Sequence, residues 1–67
     1  MEVFVAIVET GQMTAAARLV GMTQPAASQH IANLERAYEA QLIDRSTRPV
    51  KPTQAGELMY RHATRVL

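Results

Sequence analysis

The stretch TQPAASQHIANLE, residues 23–35, carries several short, uncharged side chains that can form hydrogen bonds. Glutamate and lysine are better helix formers on a solvent-exposed face, so a helix that serves only the fold has little reason to carry glutamine, serine and asparagine there. Amide and hydroxyl groups suit the recognition of a partner that presents donors and acceptors of its own. The segment therefore predicts a recognition surface on one side of a helix.

The residue types that catalysis or metal binding would need are scarce. The chain has one aspartate, two histidines and no cysteine. It contains no His-x-x-x-His pair, no arrangement of paired carboxylates and no glycine-rich phosphate loop. Ser28 and His30 are two positions apart, so on a helix they point in different directions and do not form a catalytic pair. We therefore expect neither an enzyme nor a protein that holds a metal or another cofactor.

Length and composition indicate one small intracellular domain. Sixty-seven residues, 48% of them hydrophobic, suffice for a single apolar core but not for a second domain. The longest apolar run, residues 3–8, is far shorter than the roughly 18 residues that a membrane span needs. Its acidic flanks do not suit a signal peptide. With no cysteine, the chain fits a reducing, cytoplasmic compartment, and we expect no membrane partner.

The net charge is +1, but the charged side chains are unevenly distributed along the sequence. Residues 1–39 carry two basic and four acidic side chains, whereas residues 40–67 carry five basic and two acidic side chains. The densest basic segment is DRSTRPVK, residues 44–51. It is either a solvated loop or a cationic projection that binds phosphate.

The first two helices are predicted from apolar spacing and from the glycines that follow them. Apolar residues at helical spacing predict a helix over residues 1–10, which Gly11 leaves in a left-handed turn. A second helix, over residues 13–20, is rich in alanine and ends at Gly21. Its consecutive alanines at residues 15–17 allow another helix to approach closely.

A third helix is predicted over residues 24–38, with Thr23 as its N-cap and a proline tolerated in its first turn. At 100° per residue, one set of side chains packs on the domain: Ala27, Ile31, Leu34 and Tyr38. A broadly opposite set is left free: Pro25, Ser28, Gln29, Ala32, Asn33 and Arg36. We expect the recognition surface to lie on this free set.

Prolines beyond the third helix favour a hairpin. Pro49 and Pro52 interrupt helical structure, so short strands are predicted at residues 42–44 and 50–51 around a polar turn. Thr53 then caps a last helix. That helix carries an apolar stripe: Ala55, Leu58, Met59, His62, Ala63 and Val66. The stripe is broader than one small domain can cover, which predicts a partner helix.

The second and third helices are joined at GMT, with Ala17 four residues before Gly21. Small residues let two helices cross closely, and glycine adopts the positive φ of a tight turn. This spacing is typical of a helix-turn-helix, although plain helical hairpins share it. The basic hairpin and the capped helix after it favour a winged helix-turn-helix. We therefore predict a mainly α fold of three helices, a small β-hairpin wing and a C-terminal linker helix.

Specific motifs extend along nearly the whole chain: ETG at residues 9–11, TQPAASQHI at 23–31, LIDR at 42–45 and TQAGE at 53–57. With these motifs the chain resembles the N-terminal DNA-binding domains of LysR-type transcriptional regulators of bacteria. The resemblance implies one winged helix-turn-helix domain over residues 1–67, in which residues 53–67 begin a linker and dimerisation helix. A full regulator adds an effector domain that is absent from this sequence, so we expect a small-molecule effector to bind only through that C-terminal domain.

The chain departs from the usual family pattern at several positions. Gln12 stands where a serine usually caps the second helix, which predicts a weaker cap. Ala27 replaces a larger aliphatic residue, which predicts looser packing under the third helix. Glu39 replaces a glycine.

The resemblance also assigns roles in binding double-stranded DNA. Base contacts in the major groove fall on Gln24, Pro25, Ser28 and Gln29. Contacts with the DNA backbone or minor groove fall on Thr14, Arg45, Arg48 and Lys51. Glutamine can bind adenine through two hydrogen bonds, serine can donate or accept, and proline can contact a thymine methyl group.

Alternatives remain for some of these roles. Thr14 could instead be a helix cap, and Arg45 could instead pair with Asp44 or Glu57.

Homodimerisation through the linker helix is implied for four residues: Leu58, Met59, His62 and Val66. A winged-helix module that binds protein and a ModE-like DNA-binding domain are the alternative functions. Sensitivity of binding to salt distinguishes DNA from a protein partner.

Overall fold

The computed structural model describes residues 2–65. Within that range the chain forms four helices and one two-stranded hairpin: α1 (Glu2–Thr10), α2 (Met13–Leu19), α3 (Gln24–Tyr38), β1 (Ile43–Asp44), β2 (Lys51–Pro52) and α4 (Gln54–Arg65). The predicted mainly α, winged helix-turn-helix architecture is confirmed. We call the hairpin, residues 43–52, the wing. Across residues 2–65 no helix has the length and apolar character that crossing a membrane requires.

The apolar core lies where the first three helices and the start of the wing meet. Its buried residues are Val3, Phe4, Ala6, Ile7, Ala16, Ala17, Ala27, Ile31, Leu42 and Ile43. Two of the three predicted contact alanines, Ala16 and Ala17, are at most 2% exposed. Their small side chains allow α2 to pack closely against its neighbours, as the alanine run predicted.

The caps of α2 and α3 follow from their sequences. Gln12 is the N-cap of α2 but makes no side-chain capping hydrogen bond, which confirms the weaker cap. Thr23 is the N-cap of α3, and its Oγ1 accepts a 3.3 Å hydrogen bond from the backbone N–H of Ala26. Between the two helices Gly21 has a φ of +75°, a conformation that glycine adopts without a steric penalty. This turn sets the direction in which α3 leaves α2.

The predicted packing face of α3 is correct except at its end. Ala27 and Ile31 are fully buried and Leu34 packs against the core. Tyr38 is 57% exposed, so its assignment to the packing face was wrong. Leu34 is the last residue of α3 that packs against the core, and residues 36–38 at the end of the helix are exposed.

The strands of the wing are shifted slightly from their predicted positions. They are antiparallel, with Ile43 opposite Pro52 and Asp44 opposite Lys51. The backbone N–H of Leu42 donates instead to the Glu35 carboxylate, at 2.8 Å. The N–H of Val50 donates to the carbonyl of Gly11, at 2.9 Å. Leu42 and Val50 are therefore held by the helical part of the domain, and both strands begin one residue later than predicted.

Helix α4 packs on the domain through a narrower face than the predicted stripe. Thr53 caps it, since Oγ1 accepts a 3.1 Å hydrogen bond from the N–H of Gly56. Ala55, Met59 and Tyr60 pack against the core. The hydroxyl of Tyr60 donates a 2.9 Å hydrogen bond to the carboxylate of Glu9 on α1, and this bond raises the pKa of Tyr60 above its ordinary value. Tyr60, which lies outside the predicted stripe, thus helps fix α4 on α1.

The residues predicted for the dimer interface have different environments. Met59 packs against the core of its own domain, so only part of its side chain can contact a partner. Leu58 is 60% exposed and His62 is exposed one turn later. Val66 lies outside the described residues. The exposed part of the predicted stripe is therefore centred on Leu58 and His62.

Candidate nucleic-acid interface

The free face of α3 carries the residues predicted to contact bases. Gln24, Pro25 and Gln29 are exposed and Ser28 is half-buried. The core-facing residues Ala27 and Ile31 lie broadly opposite Pro25 and Gln29, whereas Gln24 lies seven residues before Ile31 and is exposed in the first turn of the helix. The fold therefore leaves the predicted recognition face of α3 free for a partner.

A cleft of about 380 Å³ lies between the N-terminal ends of α2 and α3 and the wing. It is lined by Gly11, Gln12, Met13, Thr14, Gln24, Arg48, Pro49 and Val50. Thr14 is exposed in the first turn of α2, one residue beyond the first helical position, so Gln12 rather than Thr14 is the cap. The cleft brings Thr14 and Arg48 to the same opening as Gln24.

A second cleft, of about 190 Å³, shares several of these residues and extends along α3. It is lined by Met13, Gln24, Ser28, Arg45, Arg48 and Val50. Two short polar side chains of α3 and two arginines of the wing thus face one another. Pro25, Gln29 and Lys51 line neither cleft; all three are exposed, on α3 and β2.

Arg45 has a different acidic neighbour from the two proposed. Its Nη1 lies 3.6 Å from Oε1 of Glu35, the one ion pair among residues 2–65. Asp44 instead accepts hydrogen bonds from the N–H and the hydroxyl of Ser46, at 2.9 and 2.5 Å. These bonds lower the pKa of Asp44. The Arg45 side chain remains 41% exposed, so its pairing with Glu35 leaves part of the guanidinium available.

The chain matches one protein family over most of its length. The sequence model of the family described as "Bacterial regulatory helix-turn-helix protein, lysR family" matches residues 1–57. The chain belongs to the LysR family. The nitrogen assimilation regulatory protein nac of Klebsiella aerogenes is 43% identical over 67 residues, which are 100% of this chain and 22% of that protein. The transcriptional regulator BenM of Acinetobacter baylyi is 42% identical over 64 residues, 96% of this chain and 21% of BenM.

Solved structures of LysR-family DNA-binding domains have the same fold. The BenM DNA-binding domain in complex with benA site 1 DNA superposes with a TM-score of 0.92 at 40% identity, covering 97% of this chain and 73% of that chain. The CbnR DNA-binding domain in complex with DNA gives a TM-score of 0.89 at 32% identity, covering 97% and 75%. This chain is thus a LysR-type helix-turn-helix DNA-binding domain rather than a ModE-like one. It spans about a fifth of the length of the curated relatives named above, which are transcriptional regulators.

Glu35 is a residue of this LysR-type domain to which sequence reasoning gave no role. Its Oε2 accepts hydrogen bonds from the backbone N–H groups of Leu42 and Ile43, at 2.8 and 3.3 Å. A carboxylate in the last turns of a helix is disfavoured by the helix dipole, so a hydrogen-bond donor outside the helix stabilises it. That unfavourable position is the sequence signal from which a link between α3 and the wing could have been predicted.

Asn33 and Arg36 were placed on the free face of α3 without a function. In the structure Asn33 Oδ1 accepts from Gln29 Nε2 at 3.0 Å and from Arg36 Nη1 at 3.5 Å. The three positions are four and three residues apart, the separations at which helix side chains meet. The base-reading candidate Gln29 is therefore connected to a charged residue two turns away.

Proposed function

We propose that this LysR-type domain binds double-stranded DNA sequence-specifically, with α3 in the major groove and the wing on the backbone or in the minor groove. The observation that carries this proposal is the shared cleft between α3 and the wing. There Gln24 and Ser28, which can read base edges, face Arg45 and Arg48, which can bind phosphate. A surface that combines uncharged reading groups with flanking arginines suits a DNA groove bordered by phosphates.

Base reading is assigned to the first two turns of α3. Gln24 and Gln29 can each pair with adenine through two hydrogen bonds, Ser28 can donate or accept, and Pro25 offers an apolar surface to a thymine methyl group. Pro25, Ser28 and Gln29 lie away from the core-facing residues Ala27 and Ile31, and Gln24 is exposed in the first turn. Short side chains on this face let the helix backbone approach the base edges closely.

Phosphate and minor-groove binding is assigned to the residues around this helix. Thr14 lies at the cleft opening, and Arg45 and Arg48 project from the wing. Lys51 is exposed on β2. Contacts of this kind orient the domain on the duplex and strengthen binding to every sequence.

The active species is proposed to be a homodimer joined through α4, acting on DNA in the bacterial cytoplasm. Leu58 is a large apolar side chain that its own domain leaves exposed. Pairing of two α4 helices would bury both copies and relate the recognition helices by a twofold axis. Two half-sites about 34 Å apart, or a multiple of that spacing, would then be read together.

Selection of bound duplexes from a random pool tests the function. We expect enrichment of an interrupted inverted repeat, and loss of that enrichment in a Gln24→Ala, Ser28→Ala double variant. Affinity should fall steeply with added salt because phosphate contacts release counterions. No enrichment, with a protein partner bound equally well at low and high salt, would instead identify a protein-interaction module.

A further inference from the structure

Three exposed side chains of α3 form a chain of hydrogen bonds along its free face. Gln29 Nε2 donates to Asn33 Oδ1 at 3.0 Å, and Arg36 Nη1 donates to the same oxygen at 3.5 Å. All three residues are exposed. The one ion pair among residues 2–65 involves Arg45, so within that range no carboxylate pairs with Arg36 and competes with Asn33 for its guanidinium.

The Arg36 guanidinium determines the orientation of the side-chain amides of Asn33 and Gln29. A guanidinium has only donors, so an amide that faces it must present its oxygen. Asn33 therefore directs Oδ1 toward Arg36. Gln29, which meets the same oxygen, must direct its Nε2 toward Asn33 rather than its Oε1. The side-chain amide of Gln29 is thus held in one of its two orientations by a residue seven positions away.

This orientation restricts the bases that Gln29 can read. One of the two hydrogens on Nε2 is engaged by Asn33, which leaves one N–H and the acceptor Oε1. Adenine presents an acceptor and a donor in the major groove, whereas guanine presents two acceptors. The oriented amide can satisfy both groups of adenine but cannot donate to both acceptors of guanine.

We propose that Asn33 and Arg36 are positioning residues that set the specificity of Gln29 for adenine over guanine. This inference rests on the proposed function, since it requires Gln29 to face a base. It adds two residues that touch no base themselves. Their effect is exerted through the orientation of the Gln29 amide.

The test compares binding of the protein to duplexes that differ at a single base pair. The position is the one at which Gln29→Ala loses discrimination. For the unaltered protein we expect tighter binding to adenine than to guanine there. Arg36→Ala and Asn33→Ala should each reduce this ratio about two- to tenfold, the size expected from the loss of one or two exposed hydrogen bonds. In a Gln29→Ala background neither substitution should change the ratio further.

Two matched variants separate orientation from charge. Asn33→Asp retains an oxygen toward both neighbours and cannot turn a donor toward Gln29, so it should preserve the adenine preference even if it weakens binding overall. Arg61→Ala removes one positive charge from α4, away from this chain of hydrogen bonds, and should leave the ratio unchanged. Alanine is a better helix former than asparagine or arginine, so the alanine variants should fold.

Three outcomes would overturn the inference in different ways. If Arg36→Ala weakens all duplexes equally and makes log K less dependent on log salt by about 0.9, Arg36 is a phosphate ligand. If random-pool selection enriches a site but Gln29→Ala relaxes no position in it, the proposed function stands and the role of Asn33 and Arg36 is wrong. If selection enriches nothing, the proposed function itself fails.

Discussion

The Glu35 carboxylate of α3 accepts a 2.8 Å hydrogen bond from the backbone N–H of Leu42, where the chain enters the wing. The same oxygen accepts from Ile43 at 3.3 Å, and the other oxygen lies 3.6 Å from Arg45. One side chain of the recognition helix thereby holds both the backbone of the wing and one of its arginines. Together with the hydrogen bond from Val50 to Gly11, this contact links the wing to the helical part of the domain.

Removing the Glu35 carboxylate should destabilise the domain. Glu35→Ala leaves two partly buried N–H groups without an acceptor, and we expect a loss of about 2 kcal/mol in the free energy of unfolding. Glu35→Gln keeps one acceptor oxygen and should lose about half as much. Urea denaturation measures both values. A Glu35→Ala protein as stable as the original would show that water replaces these bonds at no cost.

Alanine substitutions at two glycines should differ in cost. Gly11 and Gly21 have φ values of +71° and +75°, so alanine is strained at either position, by about 1 kcal/mol. At Gly11 an added Cβ would also lie 2.6 Å from Cβ of Pro49, whereas at Gly21 nothing lies within 4 Å. Gly11→Ala should therefore cost about 1–3 kcal/mol more than Gly21→Ala in urea unfolding. Equal costs would mean that the wing moves away from α1 freely.

The C-cap of α3 offers a stabilising substitution. Glu39 has φ 52° and ψ 40°, in the left-handed region, which an L residue other than glycine adopts at a cost of about 1 kcal/mol. Glu39→Gly should raise the melting temperature by relieving this strain. Glu39→Ala removes the same charge but keeps the Cβ, so it should melt close to the original protein. If the two variants have the same melting temperature, any increase comes from removal of the negative charge and not from relief of backbone strain.

Local patterns in the sequence predicted the helices because their causes are local. The apolar spacing of α1, the Thr23 cap and the two turn glycines each act within a few residues. The wing was less predictable because its ends are held from a distance. The backbone N–H of Val50 bonds to Gly11, and the backbone N–H of Leu42 bonds to Glu35, rather than to the opposite strand. Such contacts between remote residues leave no periodic signal.

The same distinction applies to the interface. Residue types and helical spacing placed Ser28 and Gln29 on a free face, and the structure leaves that face uncovered. The acidic neighbour of Arg45 was predicted wrongly because the choice among three carboxylates depends on how the wing folds back on α3. The direction of the Gln29 amide likewise depends on a shared oxygen of Asn33. Which groups face outward could thus be predicted from spacing, but their side-chain partners could not.

Substitutions in α3 and in the wing should affect DNA binding in different ways. Gln29→Ala should reduce base discrimination at one operator position by about 1–3 kcal/mol with little change in nonspecific affinity. Arg48→Ala should weaken binding to all sequences and reduce the slope of log K against log salt by about 0.9 for each phosphate that is no longer bound. Titrations of specific and random duplexes at several salt concentrations separate the two effects. A strong change of sequence preference in Arg48→Ala would show that Arg48 reads bases or groove shape.

Dimerisation through α4 should depend on Leu58. This side chain is 60% exposed, while Met59 beside it packs on the core of its own domain. Leu58→Arg would place two like charges in the proposed seam, and we expect the dimer to dissociate while the monomer keeps its fold. Glu57→Ala, at an exposed position of the same helix that is turned about 100° away from Leu58, serves as the control. Sedimentation over a range of protein concentrations measures the association, and far-ultraviolet circular dichroism checks the fold. A protein that is monomeric at every concentration would contradict dimerisation through α4, and a dimer unchanged by Leu58→Arg would place the contact between copies elsewhere. The Leu58→Arg monomer should bind an isolated half-site with the same affinity as the original protein, because α3 and the wing are unaltered. It should lose only the additional affinity that a second half-site provides.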